Sequence, residues 1–199
     1  MPKPKSEDWF NQIRKNIRDT FQNITAEILD VFEERPSYVQ MRLPVDKITQ
    51  EFEESLKEKI EQGVLQAEIR KATEQDIEKV YNIYSKAWQS TSMPFREVSQ
   101  DTFLKFQKQF NTIFLVARVE SIDSGFILIH FEGKNNEIGV INGFGVLPQF
   151  QHKGLGITLA MAAWNYFKER GVRELRCEVH KDNKIPYAFI KSLGFEEML

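Results

Sequence analysis

The residues best suited to chemistry lie between Phe144 and Thr158. There Phe144-Gly145-Val146-Leu147-Pro148 closes an apolar run, and Gln151-His152-Lys153-Gly154-Leu155-Gly156 opens a helical one. A strand that passes through such a loop straight into a helix aims several unpaired backbone N–H groups, and the positive end of the helix dipole, at one spot. That spot suits a phosphate. Gly154 and Gly156 carry no β-carbon, so an anion can come close to the backbone, and Lys153 adds a positive charge. The commoner nucleotide motifs do not fit. A Walker A loop ends in Gly-Lys-Ser or Gly-Lys-Thr, whereas Gly133-Lys134 is followed by Asn135. A dinucleotide fingerprint needs a third glycine where Leu159 stands, and it belongs to the first strand of a parallel sheet.

The elements that position this loop follow from hydrophobic period. Thr112–Val119, Gly125–Phe131 and Ile138–Val146 read as three strands joined by turns at Ser121–Ser124 and Gly133–Asn136, an antiparallel meander. A helix from Leu155 to Arg170 ends at Gly171. Glu174–Val179 is the next strand, with Leu175, Cys177 and Val179 on one face, and Asn183 to Ser192 is a short helix that Gly194-Phe195 returns toward the sheet. Upstream, Ala67–Ala72 alternates as a strand, and Thr73 caps a helix bearing Ile77, Val80, Tyr81 and Tyr84. A polar loop around Ser92 and Pro94 leads to a further helix with Phe103, Leu104, Phe106 and Phe110. The order predicts an α/β (α+β) domain over residues 66–199 with a mixed, mostly antiparallel central sheet flanked by helices.

Residues 1–65 read as an N-terminal helical extension. Apolar positions from Phe10 to Phe32 recur every three or four residues up to the break at Pro36, and Ile48, Phe52, Leu56 and Ile60 mark a second stripe that Gly63 stops. Between them Tyr38–Leu43 suits an extended segment. Each helix has an apolar side that needs cover, either on the following domain or on a second copy of the chain, which makes a homodimer one expected arrangement. The mixed Glu and Lys of the polar faces speak against a membrane anchor.

Composition narrows the function classes. The 199 residues are 41% hydrophobic and 28% charged, enough for one sizeable core. A net charge of -2 supplies no overall cationic field, so neither nucleic acid nor an anionic membrane is an expected partner. A single cysteine, Cys177, rules out an internal disulfide and any cysteine-based zinc cluster; no metal site is expected. The first ten residues lack the apolar core of a signal peptide, and no stretch approaches the roughly 18 apolar residues of a membrane span. A cytoplasmic location is expected.

Over residues 66–199 the chain resembles the GNAT superfamily of acyl-coenzyme-A-dependent N-acetyltransferases. Their pyrophosphate loop, Gln/Arg-x-x-Gly-x-Gly/Ala, is matched by Gln151-His152-Lys153-Gly154-Leu155-Gly156. Val146 with Pro148 after it, Asn183 after the fifth domain strand, the terminal Leu193-Gly194-Phe195 and the order of elements fall in the same sequence. The resemblance implies transfer of an acetyl group from acetyl-CoA to an amine of a small molecule or protein. It also implies that Phe144, Gly145 and Val146 hold the pantetheine arm, Gln151–Gly156 the pyrophosphate, and Asn183 the far side of the coenzyme. A backbone N–H near Val146 becomes the natural oxyanion donor, and the loop from Trp88 to Phe95 borders the acceptor.

The chain departs from the family pattern where the catalytic acid belongs. Many members carry a tyrosine seven residues after the helix asparagine; here that position is Ile190, and Tyr187 one turn earlier is the substitute candidate for the acid. For the base, Glu178 is the leading candidate, with Glu132, Glu137 and His180 also near strand ends. His130 and His152 read as a strand and a loop residue, and Cys177 as core filler. A catalytically weak acyl-CoA-binding sensor or scaffold is the alternative reading that the missing tyrosine supports. Family members usually end in two more strands, whereas the residues after Gly194 leave room for little beyond one, so the N-terminal segment, with Tyr38–Leu43, is expected to cover or extend that side of the sheet.

Overall fold

The computed structural model describes residues 38–63, 65–91, 98–108 and 111–198. The long amphipathic stripe from Phe10 to Phe32, the loop positions Ser92 and Pro94, and Phe110 lie outside the described residues. A seven-stranded sheet in the order β2-β3-β4-β5-β6-β1-β7 forms the body. Its strands are β1 (Tyr38–Pro44), β2 (Glu68–Lys71), β3 (Thr112–Val119), β4 (Ile122–Glu132), β5 (Ile138–Val146), β6 (Glu174–His180) and β7 (Glu196–Glu197). All neighbouring pairs are antiparallel except β5 with β6.

Helices cover both faces. On one face α1 (Gln50–Glu61) and α4 (Leu155–Glu169) contribute Leu56, Leu155, Leu159 and Phe167 to a core with Leu115, Ile127, Ile129 and Cys177. On the other, α2 (Ile77–Gln89) and α3 (Gln100–Gln107) pack Val80, Ile83, Phe103 and Phe106 on Phe114, Val116, Phe126 and Leu128. This second cluster takes residues from β3 and β4 and none from β6 or β1, so α2 and α3 stop short of the far half of the sheet. The helix α5 (Lys184–Ser192) follows β6. None of the described helices is long and apolar enough to cross a membrane.

The main revision concerns the N-terminal segment, read as an appendage up to residue 65. Its strand β1 is inserted between β6 and β7, pairing Met41 with Cys177 on one side and with Glu197 on the other. The extension expected for Tyr38–Leu43 is therefore realised inside the sheet, and a boundary near residue 65 runs through one shared core. The cause is the alternation of the segment: Val39, Met41 and Leu43 point to the α1/α4 face and are buried, with Met41 0% exposed. Burying such a side chain contributes about 1.5–3 kcal/mol.

A second revision is local. The turn expected over Ser121–Ser124 is a tight one at Glu120-Ser121, both residues having positive φ (46° and 70°), and β4 starts at Ile122. Asp123 is polar because it is an ion-pair centre, not because it lies in a turn. It meets Arg118 at 2.9 Å and Arg70 at 3.2 Å, while Arg70 also grips Asp76 at 2.8 Å. Asp76 in turn accepts from the Thr73 N–H at 2.8 Å and closes a capping box on the 3-10 turn Glu74–Asp76 that leads into α2.

Two outcomes follow for stability. Met41→Ala is expected to lower the unfolding free energy by about 2–5 kcal/mol in urea denaturation, a loss out of reach if β1 were a loose appendage. The hydrogen-bonded Arg70 guanidinium holds the Asp76 carboxyl well below the usual carboxylate range. The stability it contributes is complete above the unfolded value of about 3.9 and is lost as pH falls toward the folded one. Urea curves between pH 6 and 2 should therefore fall more steeply below about pH 4 for the wild type than for Asp76→Asn.

Candidate active site

The site is built where β5 and β6 part. Their parallel pairing runs from Ile138–Glu174 to Ile141–Cys177 and then ends. At the same point β5 carries an extra residue: Ile129 pairs with Ile141 and Leu128 with Gly143, leaving Asn142 unmatched. Such a bulge bends its strand and re-aims a side chain. From here β5 stays bound to β4 through Gly145–Phe126 and Val146–Gly125, while β6 stays bound to β1 through Glu178–Gln40 and His180–Tyr38. Each strand thus follows a different partner, and the β5 edge through Phe144, Gly145 and Val146 borders a gap.

This edge leads into the loop singled out from the sequence. Gly154 is the N-cap of α4 at φ +88°, a left-handed conformation that a residue with a β-carbon adopts only under strain. His152 also has positive φ (59°). The N–H groups of His152, Lys153, Gly154, Leu155 and Gly156 donate to no acceptor among the described residues. Leu155 offers only its backbone, because its side chain is buried. Gln151 does not point outward: its Nε2 donates to the Val146 carbonyl at 2.9 Å and approaches Ser90 Oγ at 3.2 Å, bracing the loop against β5 and the end of α2.

The two glycines have different tasks. A β-carbon on Gly154 would meet nothing within 4 Å, so that position needs glycine for its φ and for open space before the N–H groups. A β-carbon on Gly156 would come within 3.3 Å of Phe144 and 3.4 Å of Phe189. Those two rings stack at 5.7 Å, joining β5 to α5 on the α4 side of the gap. Asn183 stands at the N-cap of α5, and its side chain makes no capping hydrogen bond.

The catalytic candidates are less well served. The Tyr187 hydroxyl donates to Glu197 on β7, two strands beyond β6, so it is turned away from the gap. The same carboxylate raises its pKa, which makes it a poorer acid. Glu178 lies in the part of β6 that has left β5, on the sheet face opposite Cys177, and accepts from Gln40 Nε2. Glu137 accepts from the Asn135 N–H at 2.8 Å and belongs to the turn before β5. Near the end of β6, His180 Nδ1 accepts from the Asp182 N–H at 3.1 Å. Cys177 is buried, its thiol pushed far up by desolvation, and is not a nucleophile. Among the described residues no group of three or more His, Cys, Asp or Glu side chains is placed to hold a metal.

Sequence reasoning missed two participants. Asn142-Gly143 inside an apolar strand is the signal of a bulge, and it was read as continuous strand. Phe189 was missed because its partner Phe144 is far away in sequence.

A profile of the acetyltransferase (GNAT) family matches residues 77–195. The chain belongs to that family. Over 144 residues this GNAT chain is 24% identical to a spermidine N(1)-acetyltransferase of Thermoplasma acidophilum, covering 65% of this chain and 88% of the other. Over 135 residues it is 24% identical to an aminoglycoside N(6')-acetyltransferase type 1 of Stenotrophomonas maltophilia, covering 65% and 86%. The fold is that of the PaiA N-acetyltransferase from Thermoplasma acidophilum, solved in complex with coenzyme A, with a TM-score of 0.57 and 23% identity over 64% of this chain and 88% of that one. The reaction is accordingly acetyl transfer from acetyl-CoA to an amine. The unpaired N–H groups of the loop and the free β5 edge fit that co-substrate.

Substitutions at the two glycines should differ in effect. Gly154→Ala should weaken acetyl-CoA binding about tenfold in calorimetry, from strain at φ +88° and a methyl group in front of the N–H groups. Gly156→Ala, which asks two aromatic rings to shift by tenths of an ångström, should cost about threefold or less.

Proposed function

We propose that this GNAT chain acetylates a small-molecule amine. The coenzyme's pyrophosphate rests on the N–H groups of residues 152–156, its pantetheine arm runs along Phe144, Gly145 and Val146, and Asn183 flanks the far side. One observation carries the reading: five N–H groups that donate to no acceptor among the described residues follow directly on a strand edge whose neighbour has turned away. An arm carrying two amides can bond to such an edge as another strand would.

The neutral amine attacks the thioester carbonyl carbon, a backbone N–H near Val146 stabilises the oxyanion, and the C–S bond then breaks. Glu178 is assigned as the base that takes the proton from nitrogen, directly or through water. With Tyr187 bound to Glu197 and Ile190 in the family's tyrosine position, the thiolate takes its proton from water. That is a small demand, since a free thiol has a pKa of about 8.5. Two features favour a small amine over a protein amino group: the relatives named for spermidine and for aminoglycosides, and the exposed carboxylate of Glu178 on the part of the sheet that α2 and α3 do not reach.

The test is thiol release from acetyl-CoA with spermidine, sisomicin and an alanine-terminated tripeptide. Turnover is expected with spermidine or sisomicin and is abolished by Gly154→Glu. Glu178→Gln should lower kcat about a hundredfold, while Tyr187→Phe should leave it within about twofold. Turnover of the tripeptide alone would overturn the small-molecule assignment, and acetyl-CoA binding without any turnover would favour the sensor.

A further inference from the structure

The bulge that opens the gap is tied to a polar triad that the reaction as described leaves idle. Asn142 is exposed, and its Nδ2 meets His130 Nδ1. His130 Nε2 lies 2.7 Å from Glu132 Oε1, with the His130 and Glu132 side chains only 18% and 13% exposed. The chemistry of the partners fixes the orientations. Asn142 sets its Nδ2, a donor, against Nδ1, so Nδ1 accepts and Nε2 carries the hydrogen that faces the Glu132 carboxylate, which only accepts. With the amide NH2 on that side, Asn142 Oδ1 is left to face outward.

Position gives this oxygen its meaning. Asn142 is the first residue of β5 beyond the last pair with β6, so it stands where the gap begins, across from Glu178. Its side chain lies on the face of His130, the face of Phe126 and Leu128 that α2 and α3 occupy elsewhere, opposite the Phe144–Phe189 stack and α4. With α4 and the ring stack on one side, an amine reaches the thioester from the other, where Asn142 stands.

We infer that Asn142 Oδ1 accepts an N–H of the incoming amine and so turns the nitrogen lone pair toward the thioester carbon, with His130 and Glu132 as positioning residues that hold the amide in this orientation. The inference rests on the acetyl-transfer reading of the same gap. A neutral primary amine keeps two N–H bonds after giving up its ammonium proton, so one can bond to Asn142 while the lone pair attacks. A tertiary amine has none left, and the site refuses it.

Steady-state kinetics run with spermidine, sisomicin or the alanine-terminated tripeptide, whichever the wild type turns over fastest, beside calorimetric binding of acetyl-CoA, decide the matter. Asn142→Ala should lower kcat/KM for the amine about tenfold while the acetyl-CoA Kd stays within about twofold, the scale of one lost hydrogen bond. His130→Ala should lower kcat/KM about fivefold, and His130→Gln, whose Oε1 can accept from Asn142 Nδ2, should recover most of that loss. A purely structural role in holding the bulge would change the shape of the gap, and the acetyl-CoA Kd would rise in step with the loss of activity; that result, or an unchanged kcat/KM in Asn142→Ala, overturns the inference and leaves acetyl transfer intact. A wild type that binds acetyl-CoA and acetylates none of the three amines overturns the transfer reading, and this inference with it.

Discussion

The structure depends on a backbone pairing that stops. After Ile141 and Cys177, β5 and β6 no longer share hydrogen bonds, and a strand edge inside a sheet would be a liability if nothing were meant to use it. Two competing attachments enforce the separation: β4 holds the bulged β5, and β1 holds β6. The loop after β5 then meets α4 with N–H groups that find no acceptor among the described residues, so the two unpaired regions are continuous. Gln151 prevents the loop from drifting by fastening it to Val146 and Ser90. A ligand that is anionic at one end and amide-bearing along its length is the complement of that surface.

This arrangement explains why the usual catalytic tyrosine can be absent. In the proposed reading the groups that hold the coenzyme come from backbone, and backbone geometry is set by the fold rather than by side-chain identity. The proton leaving the amine and the proton reaching the thiolate are separate demands, and only the first calls for a well-placed base. Tyr187 has been recruited for another purpose, joining α5 to β7 through Glu197.

Much of this was legible before the structure, for physical reasons that differ by element. The meander, α4 and the loop announce themselves by local period and by two glycines, all within a few residues. Thr73 as a helix cap was equally local, and the Asp76 box confirms it. What escaped was long-range or two-sided. The alternation of Val39, Met41 and Leu43 says that the segment wants a sheet but not which strands it will join. Asp123 looked like a turn residue because its partners Arg70 and Arg118 are contributed by other strands. Asn142 looked like any residue of β5, because a bulge is defined by the neighbouring strand. Of the candidate site residues, those proposed to act through backbone rest on the motif; those proposed to act through side chains, Tyr187 above all, depend on an orientation that sequence spacing leaves open.

The insertion of β1 has a bearing on how the molecule assembles. Gln40 and Glu178 sit side by side in the sheet yet are 138 residues apart along the chain. The strand leaves the ribosome long before its two neighbours, β6 and β7. Until β6 and β7 exist, β1 lacks both of the strands it pairs with, so its two edges either wait open to other chains or stay shielded by transient contacts. Closing so long a loop is entropically slow. Docking of β1 is therefore a late event, and since it also holds β6 away from β5, the gap takes its final form only after β6 and β7 have been made.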